Sequence, residues 1–89
     1  PSVSITSPLN GATVKHGGTI TIAASASDNV GITKVVFSYN NTVLTTDTTA
    51  PYTAPWSVPG KPNVSYTLKA VAYDAAGNTA TSTVTVKSK

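Results

Sequence analysis

The chain has 89 residues and a net charge of +3, which allows one domain spanning residues 1–89 and no second core. Val, Ile and Thr supply 31 residues (11, 4 and 16) while Glu, Gln, Arg, Met and Cys are absent, which argues against a helical bundle and excludes a disulfide scaffold. Three carboxylates, Asp28, Asp47 and Asp74, and the single His16 leave too little for acid–base chemistry, so an enzyme is not expected.

Alternation of apolar and polar residues predicts the first strand at Val3–Thr6, closed by a turn at Ser7-Pro8-Leu9-Asn10-Gly11. Pairing resumes around Val14 and Lys15, then breaks at His16-Gly17-Gly18. Thr19–Ser27 follows, with Ile20, Ile22, Ala24 and Ala26 on one face and hydroxyls on most of the other. After Asp28-Asn29-Val30-Gly31, Ile32–Tyr39 aligns Val35, Phe37 and Tyr39. Asn40-Asn41 then makes a two-residue hairpin, because Asn accepts positive φ. That turn puts Val43 opposite Ser38 on the outer face and Leu44 opposite Phe37 on the inner one. Residues 47–62 contain Pro51, Pro55, Pro59 and Pro62, so the short run Tyr52-Thr53-Ala54-Pro55-Trp56 belongs at a sheet edge. Ser65–Asp74 points Leu68, Ala70 and Ala72 inward, and Thr79–Lys87 does the same with Val84 and Val86. The fold class is all-β: an antiparallel sandwich of about seven strands in two sheets.

Four segments in this order carry a resemblance: Ser4-Ile5-Thr6-Ser7-Pro8-Leu9-Asn10-Gly11-Ala12-Thr13-Val14, Ala26-Ser27-Asp28-Asn29-Val30-Gly31-Ile32-Thr33-Lys34-Val35, Thr48-Thr49-Ala50-Pro51-Tyr52 and Ala70-Val71-Ala72-Tyr73-Asp74-Ala75-Ala76-Gly77-Asn78. Over almost the whole chain the sequence resembles the bacterial immunoglobulin-like domains of secreted multidomain proteins. The resemblance implies an immunoglobulin-like β-sandwich that spaces or attaches other domains and is not itself a catalyst. Its usual companions are catalytic domains acting on polysaccharides or proteins, or further modules of surface adhesins. Asn40-Asn41 stands where such domains favour Asp-Gly, and Val36 and Val71 stand where they favour polar or charged residues. A fibronectin-type sandwich differs in which sheet the fourth strand joins, and the sequence leaves both arrangements open.

Three groups of residues are candidates for function. Asp28 and Asn29 fall in one turn and Asp74 and Asn78 in another, and an immunoglobulin-type topology brings both turns to one end. The main expectation is that each Asp caps its own turn through backbone N–H groups; the functional reading is a weak calcium site built from those four side chains, with no other cofactor. Trp56, with Tyr52 or Tyr66, is a candidate platform for stacking sugar rings, although a core tryptophan under a proline-rich edge is the simpler expectation. Val36, Val43, Val71 and Tyr73 all point outward and form a candidate apolar contact patch toward a neighbouring domain.

His16 has no second histidine or nearby acid and reads as a surface loop. Lys34 and Lys69 lie on outward positions, which argues against a buried isopeptide staple. The six lysines are scattered singly, without the Arg forks or stacking platforms of a nucleic-acid binder. No run approaches the ~20 apolar residues of a membrane span. Few charges and 26 Ser and Thr residues fit a secreted or cell-surface protein. The expected partners are neighbouring domains of a longer parent chain, with polysaccharide or cell wall as the other reading, and the module is expected to be a monomer. A non-catalytic accessory module of a polysaccharide-degrading enzyme is the leading expectation; a carbohydrate- or cell-wall-binding or adhesion module is the alternative.

Overall fold

The computed structural model describes all residues, 1–89, and contains eight strands and no helix. They are β1 (Ser2–Ser7), β2 (Thr13–Val14), β3 (Thr19–Ser27), β4 (Ile32–Tyr39), β5 (Thr42–Asp47), β6 (Tyr52–Ser57), β7 (Ser65–Asp74) and β8 (Thr79–Ser88). A three-stranded sheet has the order β1-β3-β6, and a five-stranded sheet the order β2-β8-β7-β4-β5. The sandwich and the edge position of the proline-bearing β6 agree with the sequence. The fourth long strand, β5, pairs with β4, which is the fibronectin-type arrangement.

Two pairings differ from the expectation. β2 is an eighth, two-residue strand that runs parallel to β8, matching Thr13 with Lys87 and Val14 with Ser88. The chain leaves the three-stranded sheet after Ser7 and crosses to the edge of the other. Asn10 covers that edge: its Oδ1 accepts the Thr85 N–H at 2.8 Å, and the Gly11 N–H donates to the Thr85 carbonyl at 2.7 Å. Such capping removes bare ladder groups from a sheet edge. In the β4–β5 hairpin, Val43 does face Ser38, but Phe37 faces Thr45, and Leu44 is the extra residue of a bulge. Asn40 and Asn41 both take positive φ, 44° and 67°, as a type I′ turn requires.

Fifteen buried apolar residues form one core between the sheets. Val35, Phe37, Ala54, Leu68, Ala70 and Ala72 have no exposed surface. The alanines of β6 and β7 let the sheets approach, and the bulk is gathered toward one end. There Trp56 lies 5.4 Å from the Tyr39 ring and 5.3 Å from the Tyr66 ring, centroid to centroid. Edge and tilted contacts of this kind contribute beyond buried area.

Candidate functional site

The two ends of the sandwich have different chemistry. At the end where β3 passes into β4 and β7 into β8, Asp28 Oδ2 accepts the N–H groups of Val30 and Gly31 at 3.1 and 3.2 Å. Its Oδ1 lies 3.0 Å from the Pro1 ammonium. That ammonium is the main reason the Asp28 carboxyl is held below the usual carboxylate range, with the turn amides adding to it. Asp74 Oδ1 accepts from the N–H groups of Ala76 and Asn78 at 3.0 and 2.8 Å, while its Oδ2 accepts from the Asn78 side-chain amide at 3.0 Å. The Asn78 amide leads the causes that lower the Asp74 carboxyl as well, while the charge of Asp28 opposes them. Gly77, at φ 86°, closes the turn.

The structure thus brings Asp28, Asn29, Asp74 and Asn78 to one end. Asp28 is spent on two N–H donors of its own turn and on the Pro1 ammonium, Asp74 on donors of its own turn, and Asn78 serves as a donor to Asp74. No group of three or more His, Cys, Asp or Glu side chains comes together anywhere in the molecule.

At the opposite end the last strand threads between β2 and the loop before β7. The Lys89 N–H donates to the Val14 carbonyl at 2.9 Å, and both the His16 backbone N–H and its Nδ1–H reach the Lys89 carbonyl. Ser88 is buried; its Oγ accepts the Val64 N–H at 3.0 Å and donates to the Lys61 carbonyl at 2.7 Å. Lys15, Lys61, Lys87 and Lys89 are therefore gathered around one backbone knot, all four exposed.

Trp56, Tyr52 and Tyr66 are not available to stack on sugars. Their side chains are 1%, 9% and 5% exposed, because all three point between the sheets, where a small alanine-rich core needs bulk. The stacking assignment is corrected accordingly, and these residues are structural.

Val36 and Val71 face one another across β4 and β7, both half-buried, and Tyr73 lies two residues along β7. The Lys34 ammonium sits 4.6 Å above the Tyr73 ring centre, a cation–π contact that covers part of that ring. Val43 is 63% exposed and is separated from the Val36 rung by the Phe37–Thr45 rung and the bulge. Only Val36, Val71 and Tyr73 are therefore contiguous. Sequence reasoning did not single out a shallow polar depression on the same face, lined by Asn40, Asn41, Thr67, Lys69 and Thr83. Asn40 is pinned there, since its Oδ1 accepts the Thr67 N–H at 2.9 Å.

An eight-stranded, two-sheet sandwich whose carboxylates serve turns and whose aromatics serve the core is an immunoglobulin-like module. The chain belongs to the bacterial Ig domain family, whose profile matches residues 1–70. Among solved structures it is similar to the fibronectin(III)-like modules of Clostridium thermocellum CbhA. The identity there is 36% over 98% of this chain and 94% of that one, with a TM-score of 0.87. No curated protein sequence matches the chain.

Proposed function

We propose that this is a non-catalytic accessory module that holds neighbouring domains of a secreted bacterial protein, foremost a polysaccharide-degrading enzyme, at a set distance and orientation. The observation that carries this reading is the placement of Pro1 and Lys89 at opposite ends of a sandwich measuring 42 × 20 × 18 Å. β1 starts beside Ser27 at the aspartate end, and β8 finishes beside Val14 at the lysine end. Family membership and the likeness to modules of CbhA support an accessory role, and the hydroxyl-rich, weakly charged surface supports an extracellular setting.

Mean length alone does not test the reading. A flexible 89-residue Gly/Ser chain would have a root-mean-square span of about 50 Å, close to the length of the folded module. The width of the distribution does discriminate. Spin labels on the domains either side of the module in its parent chain should report a narrow distance distribution, which broadens when a Gly/Ser linker of equal residue count replaces the module. Equal widths would overturn the reading.

The depression at Asn40, Asn41, Thr67, Lys69 and Thr83 favours one second reading, a weak carbohydrate or cell-wall contact made through amide, hydroxyl and ammonium groups. Retention on insoluble cellulose, chitin or peptidoglycan that is lost in Asn41→Ala with Lys69→Ala would support it.

A further inference from the structure

Building on the carbohydrate contact at the depression, and dependent on it, we propose that the outer face of the five-stranded sheet binds an acidic polysaccharide. A chain of uronate sugars lies along β7 and β8 there, with its carboxylates against Lys34, Lys69 and Lys87.

Register places these three lysines in one row. Along β7, Leu68, Ala70 and Ala72 point into the core, so Thr67, Lys69, Val71 and Tyr73 point out. On β8, Val84 and Val86 point in, so Thr83, Thr85 and Lys87 point out. Lys34 of β4 stands opposite Tyr73, Lys69 opposite Thr83, and Lys87 opposite Ser65. Tyr73 lies four residues beyond Lys69 on β7, and Lys87 four beyond Thr83 on β8. At the usual rise per strand residue the lysines therefore follow one another at intervals of about 13 Å.

The same face carries no acidic side chain. Asp47 shares a rung with Val35 and Asp74 follows Ala72 by two, so both fall on the inward parity, where N–H groups occupy them. Asp28 lies before β4 and is paired with the Pro1 ammonium. Three like charges without a counter-charge on their own side give a positive strip that attracts an anionic chain.

Between the charges the face offers groups suited to sugars. Thr81, Thr83 and Thr85 of β8 and Thr67 of β7 expose hydroxyls. Asn40 Oδ1 accepts the Thr67 N–H, which leaves its amide nitrogen as a donor in the depression beside Asn41 and Lys69. Amides and hydroxyls pair with sugar hydroxyls, and the ammonium supplies the one charge, so a sugar bearing a carboxylate satisfies the set better than a neutral one. Phosphodiester chains are served less well. The sequence has no arginine to fork onto phosphate, and the Tyr73 ring that could stack on a base is partly covered by Lys34. An extended polymer charged on every unit meets all three lysines at once, which joins weak contacts into one stronger one.

The test is calorimetric titration of the 89-residue chain with soluble polygalacturonate at about 10 mM and about 1 M NaCl, where the screening length falls from about 30 Å to about 3 Å. The fully methyl-esterified polymer serves as its uncharged twin. Binding is expected at low salt, weakened at least about tenfold at high salt and absent for the ester. Lys69→Gln should weaken it about two- to fivefold, as loss of an exposed charge pair does, and Lys34→Gln with Lys69→Gln and Lys87→Gln at least about tenfold. The charge-matched control is Lys15→Gln with Lys61→Gln and Lys89→Gln, which neutralises the three lysines outside the row and should cost less than about threefold. Equal loss in the two triple variants overturns the inference, because net charge alone then explains binding. Equal binding of the ester overturns it too, yet leaves a neutral carbohydrate contact standing. No binding of polygalacturonate also overturns it, while retention on cellulose, chitin or peptidoglycan decides the carbohydrate contact separately. Polyphosphate or single-stranded DNA held as tightly as polygalacturonate would overturn it and assign the face to polyanions at large.

Discussion

Trp56 is the largest fully buried side chain, and its indole N–H is the one buried side-chain polar atom without a hydrogen-bond partner. Its ring neighbours are Tyr39 and Tyr66, so the N–H has an aromatic surrounding in place of an acceptor. Trp56→Ala is expected to cost about 3–5 kcal/mol, the usual range for removing a buried aromatic. Trp56→Phe keeps the aromatic contacts and removes an unpaired donor, whose burial costs about 1–3 kcal/mol in general, so its loss should be well under half that of the alanine variant. Urea titration of the two variants measures the difference. Asp28 and Asp74 respond to acid. Both carboxyls are lowered on folding, so they stabilise the native state above the ordinary aspartate range near pH 4. That contribution is lost as pH falls through their lowered folded values. Amide protection at Val30, Gly31, Ala76 and Asn78 should collapse there before that of the β7–β8 ladder. With the carboxylate oxygens facing N–H groups, calcium and a chelator should leave the thermal midpoint where it is, and a calcium-dependent rise would restore the four-residue ion site.

At the scale of elements, the β4–β5 hairpin separates what is local from what is not. Asn41 sits at φ 67°, where a β-branched side chain is strained. Asn41→Val is expected to destabilise the fold by about 1–2 kcal/mol, read as a fall in the denaturant midpoint with the slope unchanged. The turn was legible in the sequence because two consecutive asparagines between β-branched runs have few other uses. The bulge beyond it was not. Strict alternation carries Leu44 to the rung of Phe37, whereas in the structure Thr45 takes that rung and Leu44, half-buried, packs against the core.

The same distinction holds elsewhere. Two-residue periodicity placed Ile22, Phe37, Leu68, Ala70 and Val86 inward, and burial follows it. The parallel β2–β8 pair and the buried Ser88 were invisible, because Ser88 reads as part of a polar tail until the loop before β7 folds over it. The lysine cluster escaped notice for the same reason. Its members are 46 residues apart at the widest single gap, from Lys15 to Lys61, and meet only in three dimensions. The candidate sugar platform failed in the opposite way, since alternation had already put Tyr52 and Trp56 on the inner face.

For the whole molecule, the direction of its first and last strands has a mechanical consequence. β1 begins at one pole and β8 finishes at the other, and both run the same way along the axis. Tension applied through the two termini draws β1 backward along β3 and β8 forward along β7 and β2. Ladder bonds lie across the strands, so this pull loads many of them at once in shear. Handles at Thr46 and Thr81, on the two sides of the five-stranded sheet, would instead open the ladder one rung after another. In force spectroscopy the terminal attachment should unfold at clearly higher force than the transverse one. A pull along the long axis would then be carried by two whole ladders at once, so this link resists stretching best in the direction its termini define.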